Sequence, residues 1–325
     1  MSDLNQFGRA AKLLVVRPGQ AGNNPSAFVP GSTIDLSELH FTFRTAQLDE
    51  QSPNNCSVRV YNLSKDTVNT ITKLEYSRII LQAGYTDVGV GSIFDGTIKW
   101  FKIGRENNKD SYLDILAADG DVAYNYAFIN QTLAAGSTPK QRMAAAIGAL
   151  AKKGLIGGDM MEATGGILPR GKVLFGMAQA ALRQEVQSVG ATWSIDDGRI
   201  NVTPLNGYRP GDVVVLNALT GLIGIPEQTQ EGIHARCLLN PRLVVGGRVQ
   251  IDNESVNRLI QQNPTNARVA YNSYTNLLQL ASVTTDGVYR LYCVEHEGDT
   301  RGTPWYSNLT CLSINPATKM VQPYG

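Results

Sequence analysis

Catalysis in this chain would have to begin with its histidines, cysteines or paired carboxylates. There are three histidines, His40, His234 and His296, and they lie far apart. None has a partner at the i+2, i+3 or i+4 spacing suited to zinc. His296 stands in Glu295-His296-Glu297-Gly298-Asp299, a carboxylate-rich stretch of the kind that can hold a metal. The expected reading is instead an end-of-strand turn with polar contacts to Arg301. Cys237 follows His234 by three residues, but on a strand that spacing turns the two side chains to opposite faces. Asp119-Gly120-Asp121 and Asp196-Asp197-Gly198 carry paired carboxylates, and both read as Asp-Gly turns. No cleft is indicated that would place two of them across a sugar.

Residues 166–173, Gly-Ile-Leu-Pro-Arg-Gly-Lys-Val, approach a phosphate loop. That loop needs Ser or Thr after its lysine to hold magnesium, and Val173 stands there. Pro169 also removes one N–H that a phosphate would use. No serine lies in a Gly-x-Ser-x-Gly elbow. Arg236, Arg242 and Arg248 are isolated and read as salt-bridge or rim residues. The expectation is a non-enzyme with no catalytic residue, no metal ligand and no cofactor.

The bulk properties point the same way. A chain of 325 residues suggests two or three domains. Hydrophobic residues make up 42%, enough to bury a core, and charged residues 18%. That charged share is below the roughly 25% usual for soluble domains and hints at surface covered in an assembly. The net charge of +1 argues against a dedicated nucleic-acid binder. Cys56, Cys237, Cys293 and Cys311 form no Cys-x-x-Cys pair and fit buried thiols in a reducing compartment. The apolar run Leu13 to Val16 is too short for a signal or a membrane span, so a cytosolic product is expected.

The elements are mostly strands. Residues 37–46 put Leu39, Phe41 and Phe43 on one face, and 56–63 do the same with Val58 and Val60. A short helix capped by Ser64 should follow, with Val68, Ile71 and Leu74 at helical spacing. Strands are expected at 78–84, 92–103 and 111–118. TDVGVG should form a loop, and Asp95-Gly96 should interrupt the second of these strands. Residues 137–153 form the clearest helix, with Thr138 or Ser137 as cap, Pro139 in the first turn and Met143, Ile147 and Leu150 as its apolar stripe.

A second helix is expected over 172–189, with Val173, Leu174, Met177, Ala181 and Val186 apolar. A hairpin turning at Asp197-Gly198 follows, with Ile195 opposite Ile200 and Trp193 opposite Val202. Strands then return, from Gly211 to Leu216 and through GLIGIP, HARCLLNP, RLVVGGRVQI, GVYRLYCVEHEG and SNLTCLSI. In the fifth, Tyr289, Leu291 and Cys293 alternate with Arg290 and Tyr292. The chain is thus mainly β with an α+β insert. It divides into a β-domain at 1–125, a small helical and hairpin domain at 126–205, and a second β-domain at 206–325.

Cys56-Ser57-Val58-Arg59-Val60-Tyr61-Asn62-Leu63-Ser64 resembles the strand-to-helix stretch near the start of phage tail baseplate hub proteins. Leu81 to Tyr85, Ile93 to Ile98, Gly224 to Gln228, Leu238 to Pro241 and Gly247 to Val249 also resemble that family. So do His296 to Gly302 and Trp305-Tyr306. The resemblance spans about 50–315. It implies two tail-tube-like antiparallel β-barrel or sandwich domains flanking the insert, and a homotrimeric ring that adapts a sixfold tail tube to a threefold central spike.

The implied neighbours are the tail tube or a tube-initiator protein and the spike, with tape-measure and baseplate wedge proteins beside them. The implied place is the virion tail baseplate, assembled in the host cytoplasm. The implied channel passes DNA without reading its sequence, and no membrane is involved. No lysozyme domain is recognisable. The competing readings are another tail adaptor or tube-initiator, and a cell-wall-degrading enzyme of the tail tip.

Overall fold

The computed structural model describes residues 8–17, 33–73, 77–162, 165–229, 232–251, 257–258 and 287–314. The first segment contains β1 (Arg9–Val16), β2 (Thr33–Asp35), β3 (Phe41–Leu48), β4 (Asn55–Tyr61), α1 (Lys65–Thr72), β5 (Arg78–Tyr85), β6 (Gly89–Arg105) and β7 (Ser111–Ala118). The middle segment contains α2 (Asp121–Tyr126), β8 (Phe128–Leu133), α3 (Pro139–Ala151), β9 (Ile156–Met160), β10 (Lys172–Met177), α4 (Ala178–Ser188), β11 (Ala191–Asp196) and β12 (Arg199–Pro204). The last contains β13 (Val213–Leu216), β14 (Leu222–Gln228), β15 (Ile233–Leu238), β16 (Arg248–Ile251), β17 (Asn257–Arg258), β18 (Val288–Asp299) and β19 (Trp305–Leu312).

The fold is mainly β. The first and last segments share one 14-stranded sheet, ordered β17-β14-β15-β19-β18-β3-β4-β7-β6-β5-β1-β2, with β16 also paired to β18 and β13 paired to β16. The seam is the antiparallel pairing of β3 with β18, from Leu48 opposite Cys293 to Thr42 opposite Asp299. Alternation explains the strands at this seam. Phe41, Phe43 and Thr45 of β3 and Cys56, Val58 and Val60 of β4 all turn inward. Three clusters of buried side chains result. One surrounds Phe41, Leu81 and Ile115, one fills the middle segment around Trp193 and Leu182, and one lies around Tyr289, Val249 and Leu309.

Local signals act as expected in several places. Ser64 accepts the Thr67 N–H and starts α1, where Ile71 is buried and Val68 half-buried. Leu74 lies outside the described residues. Thr138 and Gln141 close a capping box on α3, with Pro139 at its start. Asp197 and Gly198 both take positive φ, 52° and 74°, as a two-residue hairpin turn between twisted strands requires. The registers Ile195 to Ile200 and Trp193 to Val202 follow, with all four side chains buried.

Other expectations are corrected. Asp95-Gly96 does not interrupt β6, which runs unbroken from Gly89 to Arg105, and the loop before it shrinks to 86–88. Asp95 is held by Arg78 Nε at 2.6 Å. A Cβ on Gly96 would lie 2.6 Å from the Phe94 ring, so the glycine serves packing within a strand. The helix expected over 172–189 starts only at Ala178. Residues 172–177 are β10, paired antiparallel with β8. RLVVGGRVQI is a strand only from Arg248, although Leu243 and Val245 are buried before it. The alternation in β18 breaks at a bulge between Leu291 and Cys293, which passes the inward face to Val294 and His296. Arg290, expected on an outer face, is buried.

Candidate functional site

The three histidines stay apart and each has a structural contact. His40 Nε2 meets Asp299 Oδ1 at 2.9 Å, and its ring stacks on Tyr61 at 4.5 Å. Burial pushes the Asp299 carboxyl up. Hydrogen bonds from the Arg301 and Gly302 N–H groups and from His40 outweigh that and hold it below its ordinary value. His234 lies half-buried on β15, with Nδ1 3.3 Å from Thr310 Oγ1. His296 is not in an end-of-strand turn, as its sequence neighbours suggested. It lies inside β18 between β3 and β19, with Nδ1 2.8 Å from Ser307 Oγ, and burial lowers its pKa to about 4. Arg301 contacts Asp299, not His296.

Burial also pushes the Cys237 thiol up to about 12 and Cys293 to about 11, and raises Cys56 and Cys311. Such thiols are protonated and poor nucleophiles at neutral pH. Lys172 is committed to Glu185. Arg236 pairs with Glu297 and lies over the Tyr306 ring, Arg242 meets Asp212 at 3.7 Å, and Arg248 donates to the Gly211 carbonyl. Among the described residues no three His, Cys, Asp or Glu side chains are placed to share a metal ion.

The two Asp-Gly turns, separate in sequence, meet in space. The Gly198 N–H donates to Asp119 Oδ1 at 3.0 Å, which ties the hairpin to the end of β7. Asn54 Nδ2 donates to the Ile195 carbonyl at 2.7 Å and to Asp196 Oδ1 at 3.0 Å. Arg209 joins Asp159 at 2.6 Å and Asp196 at 3.1 Å. Arg290 donates to the carbonyls of Pro204 and Gly207 and pairs with Asp49 at 2.5 Å. The middle segment is therefore seated on the large sheet through polar contacts, while its apolar core stays its own. Sequence reading took each Asp-Gly pair as an isolated turn, and nothing local shows that they pair across the fold.

Burial raises the carboxyls of this seat. Asp197 is pushed to about 6, and Asp119, Asp196 and Asp49 are raised as well. A carboxyl whose folded pKa is raised stabilises the fold below its unfolded pKa near 3.8, and that contribution fades as pH rises through about 6. His296 acts in the opposite sense. Its folded pKa is depressed, so its contribution is full above about 6.5 and fades toward pH 4. Wild type therefore mixes two opposed slopes, and variants separate them. Relative to Asp197→Asn, which keeps a side chain tolerant of positive φ, wild type should gain about 1–2 kcal/mol on going from pH 7 to pH 4.5. His296→Gln should show the reverse trend. Urea unfolding of the three proteins at both pH values checks this, and a constant wild-type-to-Asn difference would refute it.

The second feature that sequence reading missed is apolar surface. The two-stranded β8–β10 ribbon packs Ile129 and Leu174 inward and turns Phe128, Val173, Phe175 and Met177 outward. The Phe128 and Phe175 rings meet edge to face at 5.0 Å. The available signal was the absence of charge from 127–139 and 173–182. Exposed apolar patches of this kind mark contact surfaces more often than chemistry.

Neither a scan of protein-family models nor a search of curated proteins found a match. Comparison with solved structures did. A tail protein from Neisseria meningitidis MC58 aligns at TM-score 0.55 and 9% identity, covering 94% of this chain and 97% of that one. This chain has a tail-protein fold. The 43 kDa tail protein of prophage MuSo2 from Shewanella oneidensis aligns at TM-score 0.53 and 7% identity, over 94% and 96% of the two chains. The E. coli c3393 protein aligns at TM-score 0.51 and 10% identity, over 92% and 76%. That protein is a type VI secretion component with structural similarity to the T4 bacteriophage tail proteins gp27 and gp5. At such identities the tail-protein likeness is one of fold.

Proposed function

We propose that the chain is a structural subunit of a phage tail baseplate hub. Three copies form a ring around a channel. Segments 1–125 and 206–325 are its two tube-like β-units and 126–205 is an insert between them. The β3–β18 seam carries this reading, because it gives each chain two β-rich segments in one continuous sheet. A sixfold tube meets a threefold spike through similar bonds only if an adaptor offers six similar surfaces from three chains.

The neighbours in this reading are the tail tube or its initiator above, the spike below, and tape-measure and wedge proteins around them. DNA passes through the channel without being read. The subunit itself performs no chemistry, consistent with thiols, histidines and carboxylates engaged in packing and pairing. Its place is the tail baseplate of the virion, reached after assembly in the host cytoplasm. Reconstruction of the assembled tail end tests the reading, with three copies expected.

A further inference from the structure

We propose that the seat of the middle segment is a proton-operated latch: with its carboxyls protonated the segment closes on the large sheet, and their ionisation lets it swing out as one body. The inference goes beyond the hub reading and does not depend on it. The first observation behind it is who owns the core. The buried cluster around Trp193 and Leu182 is built only of side chains between Ala123 and Val202. A swing of the segment therefore leaves that core whole. The chain crosses between segment and sheet twice, at Asp119-Gly120 and through residues 205–212. Gly120 takes a φ of 66° and Gly211 one of 146°, so each crossing holds a residue that can absorb a change of backbone angle. Polar contacts between units of one chain permit such relative motion.

The latch itself is a pair of carboxyls without a cation between them. Asp119, buried at the end of β7, accepts the Gly198 N–H at 3.0 and 3.2 Å. Asp197, the neighbour of that glycine, takes a hydrogen bond from Ser92 of β6. Among the described residues neither carboxyl forms an ion pair. The guanidiniums nearby are committed elsewhere, Arg78 to Asp95, Arg209 to Asp159 and Asp196, and Arg290 to Asp49. Arg199 on β12 is exposed, and Glu50 adds negative charge beside Asp49. When both are ionised, Asp119 and Asp197 set like charges across the contact between sheet and segment.

The contact is also incompletely packed. A cavity of about 290 Å³ lies between the two sides, with Asp159 and Asp197 of the segment facing Ser92, Val244 and His296 of the sheet. His296 stays neutral above about pH 4, so it does not titrate with the latch. Burial holds the Asp119 carboxyl well above its ordinary value and Asp197 at about 6. Opening returns Asp197 toward 3.8, so the closed form is favoured in acid and loses ground as pH rises through about 6. From Asp197 alone the ratio of open to closed forms should rise about tenfold between pH 5 and pH 8. Asp119 adds to that rise.

Distances between spin labels on the full chain test the proposal. One protein carries Lys12→Cys on β1 with Lys153→Cys beyond α3, and a second carries Lys12→Cys with Lys140→Cys at the start of α3. All three positions are exposed. A third protein, Lys140→Cys with Lys153→Cys, reports on α3 itself. The native cysteines are buried or half-buried, and the unsubstituted chain is their labelling control. At pH 5 each sheet-to-segment pair should give one distance. At pH 8 a second, displaced distance should grow about tenfold or more in at least one pair, reversibly, while the α3 distance stays fixed. Adding Asp197→Asn should remove about tenfold of that growth, and adding Asp119→Asn as well should hold the segment closed at pH 8. Identical distances at both pH values in both pairs would overturn the proposal. So would growth undiminished by the asparagines, which would place the switch outside these carboxyls. A change in the α3 distance together with the others would mean that the segment unfolds and does not swing.

Discussion

Replacing Trp193 with alanine is expected to destabilise the protein by about 3–5 kcal/mol. The side chain is fully buried in the core of the middle segment, opposite Val202 across the hairpin and 6.3 Å from the Tyr124 ring. Ile195 and Ile200, on the same face, are fixed in the register that Asp197-Gly198 sets, so the neighbours have little freedom to collapse into the space. Among the described residues its Nε1 has no hydrogen-bond partner, so the ring contributes chiefly as a hydrophobe. Trp193→Phe removes that donor along with part of the volume and should cost only about 1–2 kcal/mol. Urea unfolding of both variants gives the comparison. A loss under about 0.5 kcal/mol for the alanine variant would mean that the ring is not packed as described.

Glu185→Ala should cost a similar amount, about 3–5 kcal/mol, for an electrostatic reason. Glu185 is buried on α4 and receives Arg142 Nε from α3 at 2.6 Å, with Lys172 from β10 on its other oxygen. Arg142 is itself buried and also donates to the Ser137 carbonyl at 2.7 Å. Removing the carboxylate strands a guanidinium away from water, while Lys172 can still reach solvent. The double variant Arg142→Met with Glu185→Leu replaces the buried pair by apolar volume. It should recover most of the loss, because breaking such a pair costs more than deleting it. Equal losses in the single and double variants would show that the stranded charge does not set the cost.

The parts of the fold that were legible in the sequence are those whose signals are local. The Ser64 and Thr138 caps, the Asp197-Gly198 turn and the alternation of β3 and β4 each act within a few residues. The error at 172–177 has a physical cause. Val173, Leu174 and Met177 count as apolar positions of the helix expected over 172–189, and apolar positions are expected to face a core. Only Leu174 does. Val173, Phe175 and Met177 are on the outer face of a ribbon, where exposed apolar side chains on a strand imitate the apolar positions of a helix.

The seat of the middle segment was illegible for another reason. Asp119 with Gly198, Asn54 with Asp196, and Arg290 with Asp49 are pairings between distant segments. No residue in them announces its partner. His296 was misplaced because its acidic neighbours suggested a solvated turn. β18 lies between β3 and β19, and its inward face there is fully covered.

The most direct test is a reconstruction of the assembled tail end at a resolution that separates strands. It should show three copies of this chain around a channel, with the first and last segments of each joined through β3 and β18. The two β-units of each copy should superimpose on one another and together form a pseudo-sixfold ring. Six copies, or one β-unit per chain facing the tube, would contradict the hub account.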